Sequence, residues 1–123
     1  MTIMEAISQT DSLVHNAYTK EEKIRWLSRM DEVVKRLIID THEGGDGIIF
    51  NGYDEFTPMD TVLLVPSPFD EIYLRWLEAQ IHFHNGEYDR YNAVILLYNT
   101  AFEGYRNHYN ATHMPKGKQF QYF

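Results

Sequence analysis

Six histidines and eighteen carboxylates are the side chains of this 123-residue chain best equipped for chemistry. His82 and His84 stand two apart, and on a regular helix that spacing turns them about 160° from one another, so they cannot chelate one ion together. Zinc needs three or four converging ligands. His42, Glu43 and Asp46 sit closer, in a glycine-rich run, but Gly44, Gly45 and Gly47 bring no further donors and the spacing matches no calcium loop. The same run lacks the Lys-Ser/Thr of a phosphate-binding loop, and no buried strand leads into it. It reads as a flexible connector, and no metal or cofactor is expected. Acid–base chemistry needs two positioned carboxylates, or a His with an orienting acid. Asp70-Glu71 and Glu87 fall at expected helix starts, where the helix dipole accounts for them. No Ser-His-Asp spacing and no nucleophile elbow stands out. No catalytic residue is assigned, and protein binding is expected in place of catalysis.

Composition narrows the class further. The absence of cysteine removes disulfides, thiolate nucleophiles and Cys-ligated metal sites. A formal charge of −7 argues against a free-standing nucleic-acid binder, which needs a basic footprint. Residues 1–16 lack a basic start and a long apolar run, so no signal peptide is expected. No stretch approaches the roughly 20 apolar residues of a membrane span. With 44% hydrophobic residues the chain can fold as one domain, and its 15% aromatic content, largely nine Tyr and seven Phe, suits half-buried positions and interfaces.

The elements that must position these residues are helices. Ile3, Ala6, Ile7, Leu13 and Val14 share a helical face within 2–17. Thr19-Lys20-Glu21-Glu22 is a capping box, and Ile24, Leu27, Met30, Val34, Leu37 and Ile38 follow at threes and fours. Glu21, Glu22, Arg25, Arg29, Asp31, Glu32, Lys35 and Arg36 read as its solvated face. Ser67 as N-cap with Pro68 at the first helical position predicts a third helix from there, carrying Ile72, Tyr73, Trp76, Leu77, Ala79, Ile81 and Phe83 on a broad apolar face and stopped by Gly86. A fourth helix, about 87–109, carries a stripe of Tyr91, Val94, Ile95, Tyr98, Phe102, Tyr105 and Tyr109. The short Asn85-Gly86 link predicts an antiparallel helical hairpin. Between the second and third helices, Ile48-Ile49-Phe50, the Asn51-Gly52 turn signal and Thr61 to Val65 allow either a short β-hairpin or an extended arm, about 43–66. Pro115 opens a C-terminal tail, about 112–123. The expected fold is therefore mainly α: a single small helical bundle built on that hairpin, with the arm and the tail attached.

Four stretches together carry a family resemblance: Ile24 to Ser28 with Ile39-Asp40-Thr41-His42; Val65 to Tyr73; Ala79-Gln80-Ile81 with Asn85 to Tyr88; and Tyr91-Asn92 through Tyr98-Asn99. His113-Met114-Pro115-Lys116 belongs to the same pattern. Over about residues 20–118 the chain resembles small proteins of the head–tail module of tailed phages and prophages of Firmicutes, the head–tail connector (adaptor) group. The resemblance implies a virion structural protein that docks on the portal ring. It implies self-assembly into a ring, typically a dodecamer, that extends the DNA channel and carries the next neck protein. DNA would pass without specific binding, which suits an acidic lumen. The implied location is the virion neck, with host cytoplasm before assembly and no membrane partner.

Ile48, Ile49 and Phe50, with Phe120, Tyr122 and Phe123, are the residues assigned to self or portal contact, because terminal aromatics stay ordered only when something holds them. The alternative is a phage-encoded acidic helical regulator binding a host protein by mimicking DNA charge. Acids interspersed with bases on the second helix weigh against it.

Overall fold

The structure, a computed structural model, describes residues 1–116. Four helices form the bundle: α1 (Ile3–Leu13), α2 (Lys20–Val34), α3 (Ile72–His84) and α4 (Tyr88–Thr112). No strand pairs with another among the described residues beyond two isolated bridges, Thr2 with Val62 and His42 with Pro115. The fold is thus mainly α, as the periodicity predicts.

α1 begins with a capping box that the sequence reading passes over. The Glu5 amide donates to Thr2 Oγ1 (3.1 Å), and the Thr2 amide donates back to the Glu5 carboxylate (2.9 Å). A helix start still leaves first-turn amides without partners. Ile3 and Met4 donate theirs to the carbonyls of Thr61 (3.1 Å) and Met59 (3.0 Å), and Leu63 donates to Met1 O (2.9 Å). This exchange decides the form of the middle segment. It is no hairpin: its stretch from Met59 to Val65 is held along α1, with Leu63 and Val65 in the core. Of the part before it, Tyr53 is docked on α2, its amide donating to Ser28 Oγ (3.0 Å) and its hydroxyl to Asp31.

α2 opens on the Thr19–Glu22 capping box as read. Its buried Ile24, Leu27, Met30 and Val34 follow the expected face, but Lys23, Trp26 and Asp31 are buried too. The reading of Asp31 as solvated is corrected here. α2 is covered on a second side by α1 and by the segment around Tyr53 and Leu64. Lys23 meets Asp11 of α1 at 2.8 Å. Asp31 accepts from the Tyr53 hydroxyl, from the Tyr73 hydroxyl (2.6 Å) and from the Leu64 amide (3.1 Å). Burial pushes its carboxyl above the usual range, and the three hydrogen bonds oppose that shift.

α3 begins at Ile72, not at Pro68. Residues 66–72 are used in successive turns, with Phe69 N donating to Pro66 O (2.9 Å) and Ile72 N to Phe69 O (3.3 Å). These turns bring Phe69 against Tyr105 and His108 of α4 (ring centroids 5.6 and 4.7 Å). Ser67 therefore caps nothing. The α3–α4 hairpin forms as predicted, with Gly86 at φ +77° where a side chain would be strained. The tyrosine stripe is core: Val94, Tyr98, Tyr105 and Tyr109 are buried, and Tyr91, Ile95 and Phe102 half-buried. Leu13 and Phe83, read as part of the core faces of α1 and α3, lie outside the core and are exposed.

Candidate functional site

The predicted contact residues are positioned by the end of α2. There the chain widens into a π-helical turn, Lys35–Ile39, in which the Asp40 amide donates to Lys35 O (2.8 Å). One extra residue per turn rotates the face enough to bury both Ile38 and Ile39. Lys35 then reaches back to the Asp40 carboxylate and to Gly45 O (3.3 Å). Gly45 is packed against Ile39 so closely that a Cβ would lie 2.1 Å from the Ile39 carbonyl oxygen. The glycine run is thus a close-fitting turn with one position reserved for glycine by space and another, Gly44 at φ +86°, by backbone conformation. The expected flexible connector is corrected on that ground.

His42 sits inside this turn, 4% exposed. A carbonyl can only accept, so its Nδ1 donates to Ile38 O (2.6 Å). Its ring stands edge-on to Tyr109 (centroids 4.8 Å), which is stacked in turn on His113 (3.7 Å). Nε2 has no hydrogen-bond partner among the described residues. Glu43 and Asp46 face outward. Among the described residues no three His, Cys, Asp or Glu side chains converge as metal ligands, and no helix is long and apolar enough to cross a membrane.

The same turn receives the start of the tail. Glu43 N donates to Met114 O (2.7 Å), Lys116 N donates to Thr41 O (3.0 Å), and Lys116 Nζ pairs with Asp46 (3.0 Å). That pair holds the Asp46 carboxyl below its usual range. Two residues beyond Asp46 the chain presents Ile48 (39% exposed) and Ile49 (79% exposed), while Phe50 is half-buried on Tyr53 (centroids 5.0 Å). The structure therefore brings the root of the tail to the foot of the Ile48–Ile49 segment, 70 residues away in sequence. Phe50 turns inward and is the least accessible of the three. Phe120, Tyr122 and Phe123 lie outside the described residues.

A second feature was not singled out from the sequence. Between the end of α1 and the α3–α4 hairpin lies a groove of about 540 Å³. Leu13, Val14, Ala93 and Val94 give it an apolar side, and Glu78, His82, Glu87 and Arg90 a polar one. His82 is buried. Its Nδ1 stands 2.9 Å from Glu87 and its Nε2 3.7 Å from Glu78, whereas His84 turns away to stack on Trp26 (5.0 Å). Hydrogen bonds from His82 and Asn85 hold the Glu87 carboxyl below its usual range. The helix-start account of Glu87 is incomplete, because its side chain makes no cap and is spent on His82. No sequence signal pointed to this groove, because Leu13, Val14 and Val94 on its apolar side all read as core residues.

No protein-family model matches the chain, and no curated protein and no solved structure is significantly similar to it.

Proposed function

We propose that the chain is a head–tail connector (adaptor) of a tailed phage or prophage: a virion structural protein that docks on the portal ring, oligomerises into a ring itself and extends the DNA channel towards the tail. The observation that supports this reading best is the junction at Thr41–Asp46. A rigid, glycine-dependent turn holds the root of an aromatic-rich tail beside two exposed isoleucines. Apolar side chains displayed from a fixed base suit association with another protein, because they need no ordering at the moment of binding. A head-to-tail ring also needs two different contact surfaces on each subunit. The junction supplies one. The remainder of the reading rests on the sequence stretches quoted for the connector group.

The test is to mix the purified chain with portal rings of the same phage and follow co-sedimentation and electron-microscopic images. The expected result is a second ring of density on the portal. Portal rings that sediment bare at saturating chain concentration overturn the proposal, and capture of a host protein in their place would favour the acidic regulator.

A further inference from the structure

Two asparagines of the chain precede a glycine, in Asn51-Gly52 and Asn85-Gly86. An asparagine so placed can react with its own backbone. The amide nitrogen of the next residue, once it has lost its proton, attacks the side-chain carbonyl carbon Cγ. Glycine permits this best, because no Cβ blocks the approach. The two pairs are alike in sequence and unlike in structure. Asn51 and Gly52 are both exposed, in the irregular stretch that follows Ile48–Phe50. Among the described residues neither the Asn51 side chain nor the Gly52 amide makes a hydrogen bond. The chain is held on either side of them: Phe50 rests on Tyr53, and the Tyr53 amide donates to Ser28 Oγ (3.0 Å).

The Asn85-Gly86 pair is engaged at every reacting group. Asn85 Oδ1 accepts from the Tyr18 hydroxyl (2.6 Å), its Nδ2 donates to Glu87 (3.3 Å), and the Gly86 amide donates to Phe83 O (3.1 Å). These bonds must open before the amide can lose its proton and the side chain can turn to meet it. The Asp46-Gly47 pair is held likewise, by Lys116 at the carboxylate (3.0 Å) and by Gly44 O at the Gly47 amide (3.1 Å). We propose that Asn51 is a modification site, at which the folded chain deamidates with water as the only co-reactant. Gly52 N forms a bond to Asn51 Cγ, the Cγ–Nδ2 bond breaks, and Nδ2 leaves as ammonia. The product is a five-membered succinimide. Water then adds to one of its two carbonyls and breaks that carbonyl's bond to nitrogen. Opening at the side-chain carbonyl gives aspartate, and opening at the backbone carbonyl gives isoaspartate, so no oxidant or reductant is needed. Either product adds one negative charge to a chain already at −7, two residues from the exposed Ile49. The reaction needs no partner and does not depend on the connector reading.

The experiment ages the full-length chain at neutral and mildly alkaline pH in water enriched in heavy oxygen. Peptide mass spectrometry, with fragmentation that separates aspartate from isoaspartate, locates the products. The expected result is both products at position 51, each carrying one solvent oxygen and forming faster as pH rises. The rate at Asn51 should exceed that at Asn85 at least about tenfold, the factor set by first opening one or two hydrogen bonds. In guanidinium, which unfolds both pairs, the two rates should converge. Asn51→Gln should remove the product, because glutamine must close a six-membered ring, which forms far more slowly. Asn51 is exposed, so this variant does not threaten the fold. Equal rates at the two sites in the folded chain overturn the proposal, as does a rate ratio that survives unfolding. A folded chain that stays intact at Asn51 while the unfolded chain reacts there overturns it too.

Discussion

Replacing Asp31 with alanine tests the packing logic of the bundle at its most constrained polar point. The carboxylate is inaccessible to solvent and holds three donors: the Tyr53 and Tyr73 hydroxyls and the Leu64 amide. Tyr53 is only half-buried and can turn its hydroxyl to water. Tyr73 is fully buried, with its hydroxyl already accepting from the Val65 amide (2.7 Å), and the Leu64 amide has no second acceptor. Two donors, one buried and one half-buried, thus lose their acceptor, at about 1–3 kcal/mol each. Part of this is offset because the mutant no longer buries a carboxylate. A net loss of about 3 kcal/mol is expected, a large share of the stability of a domain this size. Urea denaturation followed by circular dichroism should show the midpoint falling by about 1–2 M at an unchanged slope. Tyr53→Phe should cost less than Tyr73→Phe, because Tyr73 alone links Asp31 to the Val65 amide. A loss below about 1 kcal/mol for Asp31→Ala, or the reverse order of the two tyrosines, would refute the account of the network.

The same carboxylate gives a pH dependence of definite sign. Its folded pKa is raised above the ordinary value of 3.8 by burial, so its contribution to stability is fully present below that value and is lost as pH rises through the folded pKa. Wild type should therefore lose stability relative to Asp31→Asn on going up from about pH 4. Urea midpoints of the pair across acid pH would show it, and a difference of opposite slope would contradict it. Gly45→Ala should destabilise by about 1–3 kcal/mol or more, because a Cβ lies 2.1 Å from the Ile39 carbonyl and the turn must open; a thermal melt matching wild type would refute the close fit. Deleting Lys118–Phe123 should leave the melting transition in place and abolish assembly on portal rings, since the described bundle is closed without those residues. Normal ring formation by the truncated chain would remove the tail from the mechanism.

Much of the bundle was legible because its helices announce themselves locally. The Thr19–Glu22 box, the Gly86 stop and the tyrosine stripe each rest on interactions within one helix or across one short turn. What escaped depended on partners distant in sequence. Asp31 has the pattern of a solvated acid on α2, and only the return of Tyr53, Leu64 and Tyr73 to that side of the helix buries it. The Met59–Val65 stretch has strand-like residues, yet its carbonyls went to the unpaired first-turn amides of α1 and not to a second strand. Pro68 had the credentials of a helix start, but the docking of Phe69 on Tyr105 and His108 drew the preceding turn out of the helix. The site was legible in halves. The exposed isoleucines could be picked out as a β-prone run beside a glycine turn, whereas their meeting with Lys116 depends on the π-helical turn and on the Lys116–Asp46 pair. The groove had no signal, because Leu13, Val14 and Val94 look like core residues until the helices are placed.

The most direct test of the connector reading is the copy number of this chain in purified virions, measured by quantitative mass spectrometry against the portal protein. The account predicts roughly equal numbers of the two, as stacked rings of matching symmetry require. Abundant chain in infected cells with none in virions would contradict it.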